Sequence, residues 1–183
     1  MKVYIMKVIV INGFPMSGKD TFCDLCLNYM KSRGIMGGKI STIDAIKKLA
    51  TQVGWNGLKE SKDRKFLSDL KDLCTEYNDF PFEVVREQIS QTYLHFTREA
   101  GIPEDKIIFF IHCREPKEIQ KFVDVLGAET LIVRREEVEK LPQSNHADEE
   151  VLNYDYTYEI KNDKNIEDLE EKAIKFINDL VKF

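Results

Sequence analysis

Apolar residues recur along this chain in two alternating patterns. Val8-Ile9-Val10-Ile11 and Ile107-Ile108-Phe109-Phe110-Ile111 are unbroken apolar runs, as in strands buried on both faces. Lys39–Ile43 and Thr130–Val133 are shorter strand candidates, and Tyr156, Tyr158 and Ile160 alternate as a last one. Between these runs the spacing is helical. Phe22, Leu25, Cys26, Tyr29 and Met30 share one face of a first helix. Ile46, Leu49, Ala50 and Val53 mark a second, with Asp44 placed to cap it. From Ser61 to Tyr77 the inward face is Phe66, Leu70, Leu73, Cys74 and Tyr77. Pro81 opens a helix to about Ala100 with Val85, Ile89, Thr92 and Phe96 inward, and Pro116 opens another that stops at Gly127. Ile166, Leu169, Ala173, Phe176, Ile177 and Leu180 form a C-terminal amphipathic helix. Strands alternating with helices predict an α/β fold, a parallel sheet covered on both faces. Arg134 to Asn153 is polar and acidic with little periodicity, and reads as a mobile segment.

Composition narrows this picture only slightly. The 183 residues fit a single domain, and 43 % apolar with 32 % charged residues is usual for a soluble globular chain. A net charge of −5 gives no general attraction for nucleic acids or anionic membranes, so neither is expected as a partner. No apolar run reaches membrane length, and Met1–Ile11 is too short and too interrupted for a signal peptide. Cys23, Cys26, Cys74 and Cys113 fit reduced thiols in a cytoplasmic protein. Cys23 and Cys26 form one C-x-x-C without a second pair or a His at zinc spacing, so helix packing is their expected role.

The candidate chemistry follows the first strand. Gly13-Phe14-Pro15-Met16-Ser17-Gly18-Lys19-Asp20-Thr21 reads G-x-x-x-x-G-K, a phosphate-binding loop set between a strand and a helix. Gly13 and Gly18 allow the tight turn whose N–H groups converge on a polyphosphate, and Lys19 adds a cation toward its β- and γ-phosphates. The helix N-terminus that follows favours an anion. Arg114 stands where the central strand ends, in the crevice where such sheets bind ligands.

Ser17-Gly18-Lys19-Asp20-Thr21 carries G-K-D-T where most such loops have G-K-[ST]. With it the chain resembles the P-loop nucleoside monophosphate kinases, most closely the deoxynucleoside monophosphate kinase type, and is also similar to animal phosphomevalonate kinases. Asp44 and Lys47 after the second strand, Arg64 in an R-x-x-L helix, Arg114, His146-x-x-Glu149, Asp155 and Asn162 add weaker matches. The resemblance implies a five-stranded parallel sheet in order 2-3-1-4-5, an acceptor region over about 44–101 and a lid over about 134–153. It implies ATP and Mg²⁺, with a nucleoside or deoxynucleoside monophosphate as acceptor, in a monomer or homodimer. Lys19, Arg114, Arg134 and Arg135 are then the expected phosphate ligands in transfer. Asp44, Lys47, Arg64 and Arg86 are candidates for the acceptor side, and Tyr77, Phe80 and Tyr93 for stacking on a base.

The sequence departs from the family at one place. The third strand often ends in an Asp that holds the metal, and His112 stands there instead. Imidazole suits Mg²⁺ poorly, so Asp20, in place of the usual hydroxyl, is the expected metal ligand. Phosphoryl transfer needs positioning and positive charge rather than a nucleophile, so the search is for arginines. A kinase of another phosphorylated metabolite would use the same machinery. A nucleotide switch without transfer is the third reading, although the chain lacks the N-K-x-D motif of GTPases.

Overall fold

A computed structural model describes residues 6–58, 60–140 and 150–181. Strand β1 (Lys7–Asn12) lies at the centre of a sheet with β2 (Met36–Ser41), β3 (Ile107–His112), β4 (Glu129–Arg134) and β5 (Tyr158–Lys161). The order is β2-β3-β1-β4-β5, and all four pairings are parallel. This is the α/β P-loop NTPase arrangement.

Alternation along the strands builds two cores. On one face Ile9, Ile11 and Phe110 pack under α1 (Lys19–Ser32) and α7 (Ile166–Val181), where Phe22 and Phe176 meet at 5.8 Å between ring centroids. On the other, Val10, Phe109 and Ile111 pack under α4 (Phe80–Leu94) and α5 (Pro116–Leu126), with Phe82 and Phe122 at 4.9 Å. Each of these side chains contributes about 1.5–3 kcal/mol by leaving water. No helix among the described residues is long and apolar enough to cross a membrane.

Several local expectations are corrected. β2 runs from Met36 to Ser41 rather than from Lys39 to Ile43, and so includes both Gly37 and Gly38. The reason is close approach, since a Cβ at Gly37 would lie 1.7 Å from the Ile108 carbonyl oxygen. α2 (Thr42–Gln52) starts directly after Ser41, so Asp44 sits inside the first turn rather than capping it. The helix from Pro81 ends at Leu94 and gives way to a wider π turn over His95–Glu99.

The largest correction is the orientation of α3 (Ser61–Asn78). Phe66, Leu73 and Tyr77 are 37 %, 64 % and 85 % exposed, while the buried positions are Asp63 and Lys71. Asp63 closes a capping box by accepting from the Glu60 N–H at 3.1 Å. Lys71 Nζ reaches Glu115 Oε2 and Glu118 Oε2, both at 2.7 Å, and Cys113 Sγ donates to the same Glu118 oxygen at 3.3 Å. Burial favours the neutral lysine, but the two carboxylates win and raise its pKa. α3 is thus fixed by an ionic anchor rather than by an apolar face. A short α6 (Glu136–Glu139) follows β4.

Glu129 links three strands, accepting from Lys7 Nζ at 2.7 Å and from the Tyr158 hydroxyl. Burial alone would raise its pKa; these bonds together with the Lys7 charge hold it below the ordinary glutamate range. A lowered folded-state pKa gives stability that is present above the unfolded value and lost as pH falls through the folded one. We therefore expect Glu129→Gln to flatten the decline of stability between about pH 5 and pH 3. The cost at neutral pH should stay under about 1 kcal/mol, because the pair is partly exposed. Urea unfolding across that range checks it, and an unchanged acid limb would rule the linkage out.

Candidate active site

The loop after β1 is shaped by Asn12 at the end of that strand and by Tyr156 and Asn162 on either side of β5. Asn12 Oδ1 accepts the Gly13 N–H at 2.8 Å, and Asn12 Nδ2 donates to the Arg114 carbonyl at 3.0 Å and to the Tyr156 hydroxyl at 2.7 Å. The Tyr156 hydroxyl donates to the Val151 carbonyl at 2.8 Å, and Val151 packs on Phe14 and Ile132. Gly13 has a φ of 153°, and a Cβ there would lie 2.5 Å from the Val133 carbonyl oxygen. Met16, at a φ of 63°, occupies the exposed tip in the left-handed region. Gly18 has a φ of 89°, and any Cβ there would meet Asn162 Nδ2 at 2.2 Å. That same Asn162 nitrogen donates to the Ser17 carbonyl at 2.9 Å. α1 begins at Lys19, so the N–H groups of its first turn open toward the loop.

Two cavities meet here. One of about 370 Å³ runs from Gly18, Lys19, Asp20 and Thr21 to Arg135, Asn162, Asn165, Ile166 and Leu169. The other, about 230 Å³, lies beyond the ends of β2 and β3, lined by Asp20, Lys39, Ile40, Ser41, Asp44, Lys47 and His112. Asp20 lines both. Its carboxylate lies 3.9 Å from Lys19 Nζ and 3.4 Å from His112 Nδ1. Burial lowers the His112 pKa, outweighing the pull of Asp20, and Lys19 and Lys39 lower it further. Ser17 Oγ and His112 Nε2 are buried without a hydrogen-bond partner among the described residues.

No family model matches the chain, and no curated protein matches it. Among solved structures it is similar to APS kinase of Mycobacterium tuberculosis in complex with AMPPNP and APS, at 13 % identity over 97 % of this chain and 98 % of that one, TM-score 0.48. It is similar to shikimate kinase from Bacteroides thetaiotaomicron at 12 % identity, 97 % and 99 % coverage, TM-score 0.45. A sugar kinase from Janibacter sp. follows at 13 % identity, 97 % and 95 % coverage, TM-score 0.44. Likeness at this level carries no inference about activity.

The candidates from sequence fall into three groups. Gly18, Lys19, Asp20, Thr21 and Arg135 line the larger cavity, and Asp44 and Lys47 share the smaller one with Asp20. Arg114 sits half-buried beside the loop, its carbonyl held by Asn12. Arg134 turns to Glu139, donating to its two carboxylate oxygens at 2.8 Å and 2.6 Å. Arg64 is exposed on α3, and Arg86 is exposed on α4 beside Glu83 at 2.5 Å. His146 and Glu149, with the middle of the expected lid at 141–149, lie outside the described residues. Asp155 is exposed between the two tyrosines at 154 and 156. Of the stacking candidates, Tyr77 is exposed and Phe80 and Tyr93 line neither cavity. Burial raises the thiol of Cys23, to about 12, and that of Cys26, in keeping with packing.

Sequence reasoning missed Asn12, Tyr156 and Lys39. An Asn closing an apolar strand one residue before the loop glycine was the available signal for Asn12. Tyr156 gave none, because 144 residues separate it from its partner.

Proposed function

We propose that the chain is an ATP-dependent phosphotransferase whose donor occupies the larger cavity and whose acceptor occupies the smaller. The observation that carries this is Asp20, which stands at the boundary of the two beside Lys19. The loop N–H groups and Lys19 take the donor phosphates, and Arg135 is on hand at the rim. An acceptor oxygen in the smaller cavity attacks the γ-phosphorus as its bond to the ADP oxygen breaks. Lys39 and Lys47 draw an anionic acceptor in, and Asp44 can accept hydrogen bonds from its hydroxyls.

Mg²⁺ fits this donor set. It binds through one or two carboxylates, waters and substrate phosphates, and Asp20 offers an accessible carboxylate where those phosphates would lie. The bound ion would neutralise charge between donor phosphates. His112 contributes a neutral imidazole, not an oxygen. We expect Asp20→Ala to raise the Mg²⁺ concentration for half-maximal turnover while leaving ATP affinity in EDTA nearly unchanged. The same metal phenotype in His112→Ala, and not in Asp20→Ala, would overturn the assignment.

The acceptor class implied by the G-K-D-T loop is a nucleoside or deoxynucleoside monophosphate. A second reading, another small phosphorylated metabolite, is favoured by the lining of the smaller cavity, where among the described residues Ile40 is the one apolar side chain and there is no Phe, Tyr or Trp. A panel of both acceptor classes with ATP, Mg²⁺ and coupled ADP detection separates them. ADP release with no member of either class, alongside intact ATP binding, would favour a switch instead.

A further inference from the structure

We infer that the exposed apolar stripe of α3 is the interface of an isologous dimer, in which α3 packs antiparallel against its copy. Phe66, Leu70, Leu73 and Tyr77 recur at i, i+4, i+7 and i+11, a single stripe on the helix. Leu73 and Tyr77 are well exposed, Phe66 less so, and Leu70 is half-buried. The rotation of the helix is not free, because Asp63 in the capping box and Lys71 between Glu115 and Glu118 hold the neighbouring face inward. The stripe is therefore presented to solvent by fixed contacts.

Charge selects the occupant. At about 3.6 residues per turn, Lys62, Lys65, Asp69, Asp72 and Glu76 fall on one flank of the stripe. Its N-terminal part is basic and its C-terminal part acidic. That order opposes the helix dipole, which favours acidic residues at the N-terminus and basic ones at the C-terminus. Lys65 finds Asp69 at 2.6 Å within the helix, but Asp72 and Glu76 lie near the negative end of the dipole. An antiparallel copy reverses both disadvantages. In a two-fold pairing the same flanks face each other, so Lys62 and Lys65 of one copy meet Asp72 and Glu76 of the other. The two dipoles also run in opposite directions.

The full chain should sediment as a dimer at micromolar concentration. Leu73→Glu should raise the dissociation constant at least about tenfold. Two charge variants decide the geometry, Lys62→Glu with Lys65→Glu in one chain and Asp72→Lys with Glu76→Lys in another. Each should be monomeric alone, and an equimolar mixture should form a heterodimer, since unlike flanks then face each other at both ends. Both changes suit the helix's own dipole, so circular dichroism should show each variant folded. A monomeric wild-type chain, or charge variants that dimerise alone, would overturn the proposal. So would a mixture that stays monomeric.

Discussion

Lys19→Ala should lower nucleotide affinity or turnover at least about tenfold, equivalent to about 1.4 kcal/mol, without unfolding the chain. The residue is 8 % exposed, at the mouth of a loop whose remaining contacts are backbone and amide groups. Its removal deletes a cation and leaves the cradle standing, held by Asn12 and Asn162. Titration with a fluorescent ATP analogue gives the affinity, and thermal unfolding shows that the fold persists. Wild-type affinity and turnover in the folded variant would mean that the loop is only a turn.

That result rests on the part of the molecule the sequence shows most openly. The loop is legible because its chemistry is local: glycines at positive φ, a lysine at a fixed offset, a β-branched strand before and an amphipathic helix after. The sheet order was legible from the resemblance, and β1 and β3 from their unbroken apolar runs. β2 was read less well, since a Gly-Gly pair looks like a break until the neighbouring carbonyl at Ile108 explains it. α3 misled for a deeper reason. Periodicity detects apolar faces, and the face that anchors this helix is a lysine whose partners lie more than forty residues on, at Glu115 and Glu118. No local pattern reports such a pairing.

Lys71→Met should therefore cost about 3 kcal/mol of folding stability, well beyond an ordinary helix-surface change. The loss comes from leaving two carboxylates beside an apolar side chain, with Glu118 almost fully buried. Burial, abetted by the Glu115 charge, already raises the Glu118 pKa, and removing Lys71 takes away its main counterweight. A carboxyl with a raised folded-state pKa favours the folded state most when protonated, so the deficit should shrink as pH falls toward the carboxyl range. Urea unfolding at neutral and mildly acidic pH measures both effects. Lys71→Met with Glu115→Gln and Glu118→Gln should regain much of the loss, because no charge then stays uncompensated. A single variant as stable as wild type would show that the anchor adds nothing.

Asn162 closes the end of β5 on the carbonyl of Ser17, and four residues later α7 begins its packing on α1. A ligand that draws the loop tight must then also favour the docked last helix, and a docked last helix must favour the ligand, by the same factor in each direction. The affinity for nucleotide and the opening equilibrium of the C-terminal helix are two readings of one coupling constant. Amides in 170–181, past the last residue of the helix that lines the larger cavity, should exchange more slowly when nucleotide is bound.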